Sequence, residues 1–190
     1  LPVFDTYKIE TLATPTLTLE PLTVSHAGEL FEHLSNPEMY EFLPQDPPPS
    51  IVALRERYQR WKSRRSPSGS ELWLNWLIRH GSAASALLQA TCTKTRKALI
   101  AYQVVTPFQR RGIATEAIPV MLTHLHQAAA IETARALVDT RNARSIRLLE
   151  RLGFAKTRLI RDADHFKGAA SHEFEYELGL TPATKAVATP

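Results

Sequence analysis

Three runs of large apolar and β-branched residues follow one another between positions 71 and 105: ELWLNWLIR, LLQATCTK and ALIAYQVV. The polar joints HGSA and KTRK fall between them. Runs of this length bounded by turn-forming segments predict strands, and three in succession predict an antiparallel meander. Everything else in the chain must then be arranged around a sheet.

Upstream, Leu17 and Leu19 alternate as in a short strand, and Ala27, Leu30, Phe31 and Leu34 recur at helical spacing as far as Asn36-Pro37. LPQDPPPS (residues 43–50) carries consecutive prolines, which remove donors and fix φ, so no regular element is predicted there. A second helix is predicted from Ser50, with Ile51, Leu54, Tyr58 and Trp61 on one side. Arg55, Arg60, Lys62, Arg64 and Arg65 make it basic, and SPSGS ends it.

Downstream, the pattern predicts a helix over about residues 115–129, a short strand through Ala136 and Val138, and a helix over 143–152. Gly153 can end that helix in the left-handed conformation. Two last strands are expected over 154–160 and 172–178, joined by the loop RDADHFKG (161–168). In the second, Phe174, Tyr176 and Leu178 face one way and Glu173, Glu175 and Glu177 the other. A meander, then a strand–helix–strand crossover, then a hairpin predicts an α+β fold: a mixed, mostly antiparallel sheet with helices on both faces. With 190 residues, the expected organisation is one domain over 16–180, with a lead segment (1–15) and a flexible C-terminal tail (181–190).

The net charge of +4 suits an anionic ligand and is too small to demand nucleic acid. A single cysteine, Cys92, excludes an internal disulfide framework and fits a reducing, cytoplasmic compartment. No run of about 18 apolar residues is present, so no membrane partner is expected. The opening LPVFDTYKIETLATP lacks the basic start and apolar core of a signal peptide.

The third run of the meander delivers its chain into VTPFQRRGIATEA (105–117). A strand that passes through a glycine into a helix start builds an anion site. The first helical N–H groups have no internal partners, and the helix dipole adds positive potential. Gly112 lets backbone approach a bulky anion because no Cβ intervenes, Ala114 keeps the first turn thin, and Arg110 and Arg111 add charge. A diphosphate suits such a cradle better than a carboxylate. The plainer reading is a glycine turn with solvated arginines. Neither G-x-G-x-x-G nor G-x-x-x-x-G-K-[ST] is present.

Gln109-Arg110-Arg111-Gly112-Ile113-Ala114 resembles the cofactor loop Q/R-x-x-G-x-G/A of the GNAT acyl-CoA-dependent N-acetyltransferases. The continuation Ala114-Thr115-Glu116-Ala117 is similar to the branch that contains ribosomal-protein N-terminal acetyltransferases. So are NARSIRLLERLGF (142–154) and TLTLEPLTVSHAGELFEHLSNPEMYEFLP (16–44). The resemblance covers about residues 16–178. It implies the GNAT fold, acetyl-CoA as co-substrate without a metal, and an amine-bearing acceptor, a small molecule or a protein N-terminus. It also implies roles for particular positions. The backbone of Val104 and Val105 would pair with the pantetheine arm, and N–H groups from Arg110 to Thr115 would hold the pyrophosphate. Asn142 would contact the cofactor arm. The acceptor cleft would lie between LPQDPPPS and RDADHFKG, where Asp46, Asp162 and Asp164 would attract a cationic amine.

One departure concerns the acid for the leaving thiolate. Where many family members carry a tyrosine, this chain has Leu149, and the branch points to Ser145 instead. The alternative is that Asn142 and Ser145 only cap a helix. Pro119 should kink the helix that contains it. The chemistry asks little of side chains. A thiol with a pKa near ~8.5 leaves without much help, whereas neutralising a lysine amine at pH 7 costs about 4.6 kcal/mol and an α-amine about 1.1 kcal/mol. A low-pKa amine is the easier acceptor, with a water relay to a strand carboxylate such as Glu71 as one route for its proton.

Other side chains read as structural. Cys92 reads as a small core residue, and His124 and His126 point apart on their helix. Trp73 and Trp76 face opposite sides of a strand. A non-catalytic acyl-CoA-binding or nucleic-acid-binding module on the same fold is the competing reading. A monomer and a homodimer are both compatible with the sequence.

Overall fold

The computed structural model describes residues 7–181; positions 1–6 of the expected lead segment and 182–190 of the expected tail lie outside the described residues. The strands are β1 (Leu12–Ala13), β2 (Leu17–Pro21), β3 (Glu71–His80), β4 (Ala83–Thr93), β5 (Lys97–Val104), β6 (Thr133–Asp139), β7 (Ala155–Phe166) and β8 (Ala169–Gly179). They form one sheet in the order β1-β2-β3-β4-β5-β6-β8-β7. Every neighbouring pair is antiparallel except β5 and β6, which run parallel across the crossover. The sheet thus begins before residue 16, inside the segment expected to be a lead.

Helices cover both faces. The helix α1 (His26–Leu34) and the helix α2 (Ile51–Trp61) bury Leu30, Leu34, Leu54 and Tyr58 against Leu77, Ala84, Leu87 and Val105 on one side. On the other lie α3 (Ile113–Ala129) and α4 (Ala143–Arg151). There Ile118, Met121, Leu125 and Leu149 meet Leu19, Leu74, Trp76, Leu88, Ile100 and Tyr176. Because β3 is covered on both faces, it reads as a continuous apolar run rather than an alternating one. Each fully buried Leu, Ile or Met contributes about 1.5–3 kcal/mol.

Three elements extend beyond their predicted limits. The expected HGSA turn shrinks to Gly81-Ser82, with Gly81 at φ 61, and β4 starts four residues early. Alanines have little strand propensity, but Ala84 lies in the core beneath the α1 and α2 pair. The expected loop RDADHFKG is mostly strand. Only Lys167 and Gly168 turn, both left-handed at φ 52 and 76, as a two-residue hairpin turn requires. Asp162, at φ 49, sits in the register shift between Ile160 and Asp164. Helix α3 runs past Pro119 as one element, with the Thr115 carbonyl deprived of its usual donor.

The N-terminal stretch is fastened to this frame. Trp76 Nε1 donates to the Glu10 carbonyl at 3.0 Å, and the Tyr7 hydroxyl meets His124 Nε2 at 2.5 Å. Burial lowers the His124 pKa below its ordinary 6.5, so the folded state favours neutral imidazole. That contribution is complete above pH 6.5 and is lost as pH falls through the lower folded value. Melting curves from pH 7.5 to 5 should therefore fall more steeply for the parent than for His124→Asn. The difference in slope should reach at most about 1.4 kcal/mol per pH unit.

Candidate active site

Strands β5 and β6 are registered at only three positions, Lys97↔Thr133, Ala98↔Ala134 and Leu99↔Arg135. Beyond them the two strands share no pairing, although β5 stays paired to β4 through Val104 and β6 to β8 through Asp139. The sheet opens there into a cavity of about 800 Å³. Tyr102, Gln103 and Val104 line it from β5, Asn142 and Ser145 from the start of α4, and Glu38, Met39, Glu41, Phe42 and Leu43 from the turn after α1.

The direction of the β5 backbone follows from its ladder. The Val105 N–H donates to the Ser85 carbonyl at 3.0 Å, which makes Ser85 and Val105 a hydrogen-bonded pair. Alternate residues of an antiparallel strand turn their N–H and C=O the other way, so Tyr102 and Val104 present theirs to the opening. Val105 does not match the role implied for it. Its N–H is bound to Ser85, its carbonyl accepts from Phe108 N–H at 2.9 Å, and its side chain is fully buried. The β5 backbone groups that face the opening are those of Val104 and Tyr102. The Val104 carbonyl accepts from Gln109 Nε2 at 3.2 Å, and Gln109 Oε1 accepts from Arg144 Nη1 at 3.1 Å.

From Val105 the chain makes a single 3-10 turn and reaches Gly112, which begins α3 in the left-handed conformation at φ 78. No side chain caps this helix, and its first i→i−4 bond is Glu116 N–H to the Gly112 carbonyl. The N–H groups of Ile113, Ala114 and Thr115 are therefore left for a ligand, and all three residues line the cavity. Arg110, Gln109 and Gly112 line it as well, whereas Arg111 turns away and stacks over Phe108 with 5.3 Å to the ring centre. Arg141, Arg144, Arg147 and Arg151 add positive charge to the same wall, with Glu38 and Glu41 opposing them from the α1 side.

Helix α4 starts at the end of β6. Asn142 Oδ1 accepts from Ser145 N–H at 3.1 Å, so Asn142 is the cap. The hydroxyl of Ser145 is not used in capping and lies 2.5 Å from that of Tyr102. Burial pushes the Tyr102 pKa up to about 12, against the opposing effect of that hydrogen bond. Just before the cap, buried Asp139 accepts from Arg141 and from Ser171 Oγ at 2.8 Å. Arg141 is the main reason its carboxyl is held down to about 2.

Several predicted positions lie elsewhere. Glu71 bonds Trp73 Nε1 at 2.9 Å and is level with Thr93, at the far end of the sheet from Tyr102. About five residues of strand, roughly 16 Å, separate them, so Glu71 is no route for the acceptor's proton. Asp162 and Asp164 stand exposed on β7 and do not line the cavity. Their hairpin nevertheless reaches it, because Lys167 Nζ at its tip donates to the Tyr40 and Leu43 carbonyls. Burial, then repulsion from Asp139 and Asp164, raises the Glu173 carboxyl on this side. Cys92 is fully buried, which pushes its thiol up to about 12 and makes it a poor nucleophile. His124 and His126 do point apart, towards Tyr7 and the Ile131 carbonyl. Among the described residues no group of His, Cys, Asp and Glu converges on a metal position.

The sequence reading missed Tyr102 and Glu116. Only the strand period, which puts Ala98, Ile100 and Tyr102 on the α3 and α4 face, could have flagged the first. Glu116, in the first turn of α3, is held by Thr14 Oγ1, by Thr16 N–H at 3.2 Å and by Thr16 Oγ1 at 2.7 Å.

Residues 16–155 match the acetyltransferase (GNAT) domain family. The chain is 23% identical over 175 residues to N-acetyltransferase p20 of Bacillus licheniformis, itself uncharacterized; the match covers 90% of this chain and 96% of that one. Its fold is shared with RimL, the ribosomal L7/L12 α-N-protein acetyltransferase, solved with coenzyme A: TM-score 0.82, 18% identity, 91% of this chain and 99% of that one. RimJ of Mycobacterium smegmatis, solved with a CoA-disulfide, gives TM-score 0.77 and 19% identity over 90% of this chain and 86% of that one.

The capping geometry separates two neighbouring residues by experiment. Asn142→Ala should cost about 0.5–2 kcal/mol of stability in a denaturant titration. Ser145→Ala keeps the capped N–H and should cost less than Asn142→Ala in the same titration.

Proposed function

Because the chain belongs to the acetyltransferase (GNAT) domain family, we propose that it moves an acetyl group from acetyl-CoA to a primary amine by direct attack on the thioester. One observation carries the reading. A strand edge whose Tyr102 and Val104 backbone groups face the opening leads within a single cavity to a helix whose first N–H groups are uncapped. An extended pantetheine arm fits the first part as an added strand, and a diphosphate fits the second.

In this reading Val104 pairs with the arm, and N–H groups from Arg110 to Thr115 hold the pyrophosphate, with Gln109 bracing the loop and Arg110 adding charge. Asn142 sets the start of α4 beside the arm. The neutral amine attacks the carbonyl carbon, the C–N bond forms, the C–S bond breaks, and the amine's extra proton passes to solvent. Ser145 donates its hydroxyl hydrogen bond to the departing sulfur. Alignment and polarisation of the carbonyl supply most of the rate. A protein α-amine is the favoured acceptor because it costs about 3.5 kcal/mol less to neutralise at pH 7 than a lysine amine. The name of RimL, an α-N-protein acetyltransferase of similar fold, supports the same choice. The enzyme would act in the cytoplasm as a single catalytic domain, residues 16–180.

Acetyl-CoA at about 100 times its dissociation constant should stabilise the protein by ~2.7 kcal/mol. Gly112→Val should remove most of that shift, since branched carbons would stand at the cradle and φ 78 disfavours them. An unchanged shift in the variant would sink the assignment. Thiol release across N-terminal peptides, amino acids and polyamines then identifies the acceptor. Binding without release from any of them would mark a non-catalytic module.

Asp162 and Asp164 would act at a distance, raising the local concentration of a cationic acceptor. The double variant Asp162→Asn, Asp164→Asn should raise acceptor KM several-fold at low salt, with the acetyl-CoA KM unchanged. Equal acceptor KM values would assign both to the solvated edge of the sheet.

A further inference from the structure

A serine hydroxyl has one proton to give, and its usefulness to a leaving sulfur depends on where that proton points. Ser145 sits at the third position of α4, with its N–H committed to Asn142 and its Oγ 2.5 Å from the hydroxyl of Tyr102. Both side chains line the cavity, one from the helix and the other from the strand whose backbone faces the opening. No other hydrogen bond to either hydroxyl is present among the described residues.

The pair can be arranged in two ways. If Ser145 donates to Tyr102, the serine proton is used up and the tyrosine proton points elsewhere. If Tyr102 donates to Ser145, the serine proton is free to turn into the cavity. We propose that Tyr102 is a positioning residue that donates its hydroxyl hydrogen to Ser145 Oγ and so aims the Ser145 O–H at the sulfur of the leaving thiolate. This rests on the reading of Ser145 given above and adds to it the residue through which the serine is oriented.

The chemistry excludes a larger role for Tyr102. Burial holds its proton firmly, up to a pKa of about 12, whereas a thiol near ~8.5 is far more acidic. Passing a proton from tyrosine through serine to sulfur would run uphill. Tyr102 therefore stays protonated throughout, which is what a fixed donor requires. The C–S bonding pair leaves with sulfur, the Ser145 O–H stabilises that charge as a hydrogen bond, and the thiolate takes its proton later from solvent. Neither hydroxyl changes protonation state.

Three variants test this, with turnover normalised to the number of acetyl-CoA binding sites so that partial unfolding does not enter. Tyr102→Phe should lower kcat about tenfold, the effect of one hydrogen bond, with both KM values within twofold of the parent. Ser145→Ala should lower kcat at least as far, and the double variant should be no slower than Ser145→Ala alone, because the tyrosine acts only through the serine. If Tyr102→Phe turns over at the parent rate while Ser145→Ala is slow, the positioning role is wrong and the serine reading stands. Losses that multiply in the double variant mean that Tyr102 acts independently, which also overturns the proposal. If Ser145→Ala matches the parent, the serine reading itself fails and this inference fails with it.

Discussion

Two parallel strands that part after three pairs govern the rest of this molecule. A sheet normally satisfies its backbone groups by continuing; here β5 and β6 stop pairing at Leu99 and Arg135 while each remains locked to its outer neighbour. Past that point each strand is ordered by its outer neighbour alone, and the gap between them is the cavity. What lines it is decided by where the chain goes next: β5 passes into the start of α3, and β6 into the start of α4.

Both helix starts point at the same cavity, but they are finished differently. Helix α4 has Asn142 as its cap, which consumes a donor and leaves the Ser145 hydroxyl out of the capping and bonded to Tyr102 at the cavity wall. Helix α3 has only Gly112, which consumes nothing and leaves three donors without an intrahelical acceptor. One end is suited to receive an anion and the other to present a single polar group. The cavity inherits this asymmetry from two capping residues, and the arginines along α4 strengthen it.

Much of this was legible in the sequence where local chemistry decides structure. The meander, the glycine before α3, the asparagine before α4 and the crossover all carry signals within a few residues of each other. The β7–β8 hairpin was expected, but its full length and its turn were not legible, for a physical reason. Strand β7 is an edge exposed on both faces, so RDADH has no alternation to display, and its turn is Lys167-Gly168 rather than an asparagine or aspartate before glycine. Val105 shows a second limit. Sequence puts it beside Val104, but backbone direction alternates residue by residue, and only the register with β4 says which of the two faces the opening. The Tyr102 and Ser145 contact spans 43 positions and depends on how closely α4 packs on the sheet, which no local pattern encodes.

The fastening of Glu116 bears on more than the edge of the sheet. This carboxylate belongs to the first turn of the helix that offers its N–H groups to an anion, and left free it would compete for the same positive end. Thr14 and Thr16 bind it, and none of the three residues lines the cavity; burial alone would raise its pKa, but these bonds outweigh burial and hold it ionised and occupied. The first hairpin therefore sets the charge and the occupancy of a carboxylate at this helix start without lining the cavity itself.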